Sequence, residues 1–157
     1  MTAIEGSVLE RLAELDIVLP PAAAPVASYR PVVVHGGMAY VSGQLPFVDG
    51  TLVTGVLGVD VDVERGQDAA RACGMMILAQ LHAVQLLDRV EQVVKLGGFV
   101  ASSPQFTDQP TVVNGASDLM VEVFGEAGKH ARSAVGVPAL PLGAAVEVDA
   151  IIALSGA

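Results

Sequence analysis

The stretch "KHARSAVGVPALPLGAAVEVDAII", residues 129–152, decides the fold. Two apolar runs, "ARSAVGV" and "AAVEVDAII", flank "PALPLG", whose prolines and glycine suit a turn and break any regular element. Both runs are rich in valine and isoleucine, so two strands are expected. The second alternates Val146, Val148 and Ala150 with Glu147 and Asp149, which puts the two acids on one face of the strand. Asp149 reads as part of a half-solvated face. Arg132 is harder to accommodate. It stands at the start of the first strand, and the residues that follow it are small enough to leave a hollow around a guanidinium. A dry, unpaired charge there would be strongly destabilising, so Arg132 requires a carboxylate partner, water or an anionic ligand. An internal Arg–Glu pair and an anion-binding pocket both satisfy that requirement.

Upstream, residues 109–124 read as a helix ended by Gly125, and residues 90–103 as a strand with a glycine irregularity at Gly97-Gly98. Before that strand, Ala70, Cys73, Ile77, Leu81 and Val84 recur at helical spacing. They predict a long helix capped by Asp62 and running to about Leu87. "VVVHGGMAYVSGQLP" predicts a hairpin over residues 31–44, because paired glycines supply the positive φ of a tight turn. "FVDGTLVTG" repeats the pattern weakly around Asp49-Gly50. Pro20, Pro21, Pro25 and Pro31 make residues 19–31 an extended surface segment. Ser7 with Glu10 forms the capping-box pattern of a short helix over residues 7–15.

The order of elements predicts an α+β single domain with one mixed six-stranded sheet and both long helices on one face. The other face then needs a cover, and a second copy of the chain is the simplest one. Composition agrees, since 52% of the 157 residues are hydrophobic and only 16% charged. Large contiguous apolar patches are seldom left exposed on soluble monomers.

Several function classes are disfavoured. A net charge of −9 and scattered lysines and arginines repel phosphate backbones, so no nucleic-acid partner is expected. No apolar run approaches the roughly 20 residues of a membrane span. Residues 1–19 carry Glu5, Glu10, Glu14 and Asp16, unlike a secretory signal, so no membrane partner and a cytoplasmic location are expected. Cys73 is the only cysteine and reads as a small buried thiol. His35, His82 and His130 show no i, i+4 pairing, and no metal site is expected.

The segment "HARSAVGVPALPLGAAVEVDAI" resembles the C-terminal signature of the RidA/YjgF family, also called the endoribonuclease L-PSP or translation-inhibitor group. "SYRPVVVHGGMAYVSGQLP" and "FTDQPTVVNGASDLMVEVFGE" are similar to two further segments of that family. The resemblance covers residues 24–154, leaving residues 1–23 as an N-terminal extension with its short helix before a RidA/YjgF-like domain over 24–157. It implies a chorismate-mutase-like fold and a homotrimer with clefts between subunits. The implied activity is hydrolytic deamination of reactive 2-imino and enamine acids to 2-keto acids and ammonia, with no metal or cofactor. Carried over residue by residue, the carboxylate-binding arginine falls on Arg132 and the cleft glutamate on Glu147. The cleft tyrosine, from a neighbouring subunit, falls on Tyr29, and the glycine approached by substrate on Gly43. Asn114 matches a helix-start asparagine.

A planar guanidinium holds a carboxylate through two parallel hydrogen bonds, a geometry lysine cannot reproduce. Arg132 would orient the 2-imino acid, and Glu147 would hold water and pass a proton to the departing nitrogen. Two departures stand out. Deaminating members usually carry Cys or Thr where this chain has Ala134, and often Glu where it has Gly136, changes expected to enlarge the pocket. Arg30 reads as a solvated surface residue. The alternatives are a non-catalytic trimer that binds small carboxylate metabolites as a sensor or docking module, and, against the charge, RNA cleavage.

Overall fold

The computed structural model describes residues 6–25 and 27–156. Its main sheet has five strands, not the expected six. These are β1 (Val32–His35), β2 (Met38–Gln44), β5 (Val90–Ala101), β6 (Ala131–Val137) and β7 (Val146–Leu154), in the spatial order β1-β2-β7-β5-β6. The Asp49-Gly50 segment does form a hairpin, β3 (Phe47–Val48) with β4 (Thr51–Leu52), but these strands pair only with each other. Two residues a side make too short a ladder to extend the sheet. β5 and β6 run parallel and the remaining neighbours antiparallel, so the sheet is mixed.

The described residues also form three α-helices: α1 (Val8–Glu14), α2 (Val63–Ala83) and α3 (Gln109–Phe124). Each begins as its sequence dictates. Ser7 and Glu10 close the capping box of α1, and the Asp62 side chain accepts from the Arg65 amide at 2.8 Å. Pro110 sits in the first turn of α3, where its missing N–H costs nothing, and Gly125 at φ 60° ends it. Helix α2 is shorter than its apolar stripe suggests. It stops at Ala83 because Gln85 turns left-handed at φ 61°, after which Leu86 and Leu87 tuck into the core. Val84, assigned to the stripe, is half exposed at the helix end.

Along β7 every second residue, from Val146 to Leu154, is buried beneath α2 and α3. The same face of β5 contributes Val93, Leu96 and Val100, all fully buried, and α3 covers it with Val112, Val113, Ala116 and Leu119. Both long helices thus lie on one face. Register shifts in β5 fall at Val90–Gln92 and Val93–Lys95, not at Gly97-Gly98 as expected. Those glycines instead admit neighbours: a Cβ on Gly98 would sit 2.5 Å from a Val113 methyl, and one on Gly97 would collide with the Asp149 carboxylate. The opposite face carries Val33, Tyr40, Phe99, Ser133, Val135, Glu147, Asp149 and Ile151, with no element of the described residues across it. Val33, Tyr40 and Val135 there are exposed apolar or aromatic side chains. No helix among the described residues is long and apolar enough to cross a membrane.

Candidate functional site

Strand register decides how the candidate residues relate. Glu147 pairs with Phe99, which pairs with Val135, whereas Arg132 pairs with Leu96, which pairs with Ala150. The two rows are three residues apart along the strands, and two strand spacings separate β7 from β6, about 10 Å in each direction. The rows also alternate in face. Arg132 lies with Leu96 and Ala150 on the helix side, and Glu147 on the open side. Within one chain the internal Arg–Glu pair does not form. The structure brings the candidates together as two half-sites.

The first is built on β6 and α3. Arg132 is half-buried, and its Nη1 donates to Asn114 Oδ1 at 2.7 Å and to Ser117 Oγ at 3.1 Å. Asn114 and Ser117 are three residues apart on α3 and so share the face turned toward β6. Asn114 is the sixth residue of α3, in its second turn rather than at its start. Among the described residues no carboxylate lies within ion-pair distance of Arg132, and its Nε and Nη2 donate to nothing. That edge of the guanidinium is the one whose two parallel N–H groups fit a carboxylate. Ala134 packs its methyl against the core and offers no polar atom. Gly136 lines a surface cavity of about 650 Å³ with Ser102, Gln109 and Val137, and Ser102 Oγ and Gln109 Nε2 lie 2.6 and 2.7 Å from where a Cβ would stand.

The second half-site gathers at the end of β2. Tyr29 and Gly43 line one small cavity of about 90 Å³ together with Pro31, Gln44, Gln80 and Leu142. Gln80 Nε2 holds this corner by donating to the Ala23 carbonyl at 2.8 Å and to Gln44 Oε1 at 3.2 Å. Gly43 leaves room for the Glu147 side chain, since a Cβ there would run into that carboxylate. Burial, with a smaller contribution from the nearby Asp149 charge, pushes the Glu147 carboxyl above its usual 4.5. Burial likewise raises Asp149 above 3.8, opposed by the Gly97 amide and by Lys95. Asp149 is partly buried, as a half-solvated strand face implies. Cys73 is a buried thiol pushed well above its ordinary 9.0, first by desolvation and then by Glu147, and is inert as its position suggests. Arg30 is exposed, as expected.

The raised Glu147 carboxyl has a measurable consequence. The folded chain holds this proton more tightly than the unfolded chain, so its contribution favours folding below the ordinary pKa of 4.5 and is lost as pH rises through the elevated value. Glu147→Gln removes the cost of the buried charge. Its stability relative to wild type, read from urea denaturation, should be greater at pH 7 than at pH 4.

Two residues of the first half-site escaped the sequence reading. His130 places Nε2 at 2.8 Å from Ser117 Oγ and Nδ1 at 2.6 Å from the Gly128 carbonyl oxygen. The available signal was spacing: Ser117 follows Asn114 by three on a helix, and His130 precedes Arg132 by two.

Comparison with known proteins matches the chain to a family. The chain is 54% identical over 153 residues to protein TCP17 of Trypanosoma cruzi, covering 96% of each. It is similar to the crystal structure of Atu1372, a protein of unknown function from Agrobacterium tumefaciens, with 48% identity, a TM-score of 0.86 and coverage of 94% of this chain and 92% of that one. It is also similar to E. coli TdcF, solved with bound serine, at 27% identity and a TM-score of 0.60 over 87% of this chain and 94% of that one. The family model described as YjgF/chorismate mutase-like, putative endoribonuclease matches residues 9–154, which takes in α1 and the proline-rich segment as well as the α+β core. With its sheet, its two covering helices and nearly its whole length matched, the chain belongs to the YjgF/chorismate mutase-like family.

Proposed function

We propose that the protein hydrolyses 2-imino acids to 2-oxo acids and ammonia in clefts between the subunits of a homotrimer. The single observation that carries this reading is the Nε–Nη2 edge of Arg132, half-buried and without a partner among the described residues. A cation that the fold orients through one nitrogen and leaves open on the other side suits a small carboxylate. The bound serine of the related TdcF is a ligand of that class.

Glu147 lies on the opposite face of the sheet from Arg132, and Gly43 and Tyr29 line a cavity at the end of β2, separated from β6 by two strands, so a cleft containing all four needs two chains. In this reading Arg132 and Asn114 come from one protomer and Glu147, Gly43 and Tyr29 from the next. The exposed apolar residues of the open face supply the contact. With the substrate carboxylate held on Arg132, water adds to C2 of the C=N bond, one proton going to nitrogen. Glu147 takes a proton from that water and returns it to the amine, the C–N bond breaks, and ammonia leaves as the carbonyl forms. A carboxyl raised by burial exchanges a proton closer to neutral pH than an ordinary one.

A second reading, a trimer that binds small carboxylates without turnover, is favoured by Ala134, which offers no side-chain group to position water. One experiment separates the two. The purified protein is given iminopyruvate generated in situ, and ammonia release is followed beside a thermal-shift titration with pyruvate. Accelerated ammonia release supports the hydrolase; a pyruvate-induced rise in melting temperature without acceleration supports the binding protein. Light scattering should give three times the 16.0 kDa chain mass, and a monomer at micromolar concentration would contradict the intersubunit cleft in either case.

A further inference from the structure

The geometry points to Ser117 and His130 as positioning residues that hold Arg132 ready for an incoming carboxylate, an inference that rests on the carboxylate-binding reading of Arg132. The bonds form a directed chain. The Gly128 carbonyl can only accept, so the hydrogen at the 2.6 Å contact belongs to His130 Nδ1. A ring with its hydrogen on Nδ1 has an acceptor at Nε2, and the Ser117 hydroxyl donates to it at 2.8 Å. Donating its only hydrogen there leaves the Ser117 oxygen lone pairs to accept from Arg132 Nη1 at 3.1 Å. The second hydrogen of the same nitrogen goes to Asn114 Oδ1 at 2.7 Å. Every donor and acceptor along this path is matched in one sense. A ring carrying both hydrogens would aim Nε2–H and Nη1–H at the same oxygen and strip the serine hydrogen of its acceptor.

Both bonds to Arg132 end on Nη1, so they fix the guanidinium plane and turn Nε and Nη2 outward together. A free arginine must give up torsional freedom when it binds, whereas one held in this way binds with less loss. The start of the chain is itself anchored. Gly128 packs against the backbone of α3, where a Cβ would collide with the Met120 carbonyl, and Gln92 Nε2 donates to the Ala127 and Lys129 carbonyls at 3.0 and 2.6 Å. The Ser–His contact is not that of a nucleophile and its base, because the serine oxygen is taken up by the arginine. Asn114 alone leaves the guanidinium free to pivot about one bond; the serine supplies the second point.

The test is calorimetric titration of pyruvate into the full-length assembled protein. Ser117→Ala and His130→Ala should each weaken binding about tenfold, the equivalent of one hydrogen bond to a charged group. The double variant should be no weaker than either single one, since both act through one hydroxyl. Ser117→Thr, which keeps the hydroxyl, should restore wild-type affinity, and ¹⁵N spectra should show His130 protonated at Nδ1 alone. Wild-type affinity in folded Ser117→Ala, or losses that add in the double variant, would overturn the inference. If Arg132→Ala abolishes binding while Ser117→Ala and His130→Ala do not change it, only the positioning role falls; if Arg132→Ala also binds normally, the carboxylate reading falls with it.

Discussion

Arg132→Ala should reduce ammonia release from iminopyruvate by about a hundredfold or more, and Arg132→Lys should recover only a small part of that loss. Two charge-assisted hydrogen bonds at roughly 1.5–3 kcal/mol each set the scale, and a tenfold change in affinity is about 1.4 kcal/mol. Lysine keeps the charge but offers a single ammonium where the carboxylate is met by two parallel N–H groups. The same substitutions should leave folding nearly intact. Arg132 sits half-buried on the edge strand β6, has no ion-pair partner among the described residues, and gives only two hydrogen bonds, both from Nη1. Loss of activity with a melting temperature close to wild type therefore distinguishes a functional arginine from a structural one. Equal losses of both would indicate that Arg132 serves the fold.

The largest effect on stability should come from Gly115→Ala. In an exposed helix this substitution gains about 1 kcal/mol from propensity. Here the sign reverses. Gly115 is the point where α3 lies against α2, and a Cβ would collide with the Gln67 carbonyl oxygen and stand 3.1 Å from the Arg71 amide nitrogen. Neither is the end of a flexible side chain, so the two helices must separate. Separation loosens Cys73 and Ile77 of α2 and Ala116 and Leu119 of α3, all fully buried in the core. Overpacking of this kind costs about 1–3 kcal/mol and outweighs the propensity gain. A net loss of about 1 kcal/mol, and up to about 2, should lower the urea midpoint with an unchanged m-value. An alanine variant as stable as wild type would show that the α2–α3 contact yields at little cost.

Much of this architecture is legible locally. The hairpin turn at Gly36-Gly37, the limits of α3 and the two strands around "PALPLG" are written in residues that act on their own backbone. What escapes is set by distant partners. Val84, Leu86 and Leu87 continue a helical stripe, yet the chain leaves the helix because the core has a place for Leu86 and Leu87 beyond a left-handed turn at Gln85. Gly97 and Gly98 look like a bulge but serve close approach by Asp149 and Val113, and the irregular pairing lies among residues with no turn chemistry. The site divides in the same way. Arg132 is conspicuous because a permanent charge in a run of small residues demands an explanation. Ser117 and His130 acquire meaning only when α3 is laid on β6, and the opposite facing of Arg132 and Glu147 follows from a register that no single segment encodes.

The central claim is that one edge of the Arg132 guanidinium stays open for a ligand in the assembled protein. A crystal structure of the assembly grown with pyruvate tests it most directly. The pyruvate carboxylate should lie on Nε and Nη2 of Arg132, in a cleft completed by Glu147 and Tyr29 of a neighbouring protomer. An aspartate or glutamate of the neighbouring protomer closing that edge, with pyruvate absent from the cleft, would contradict it.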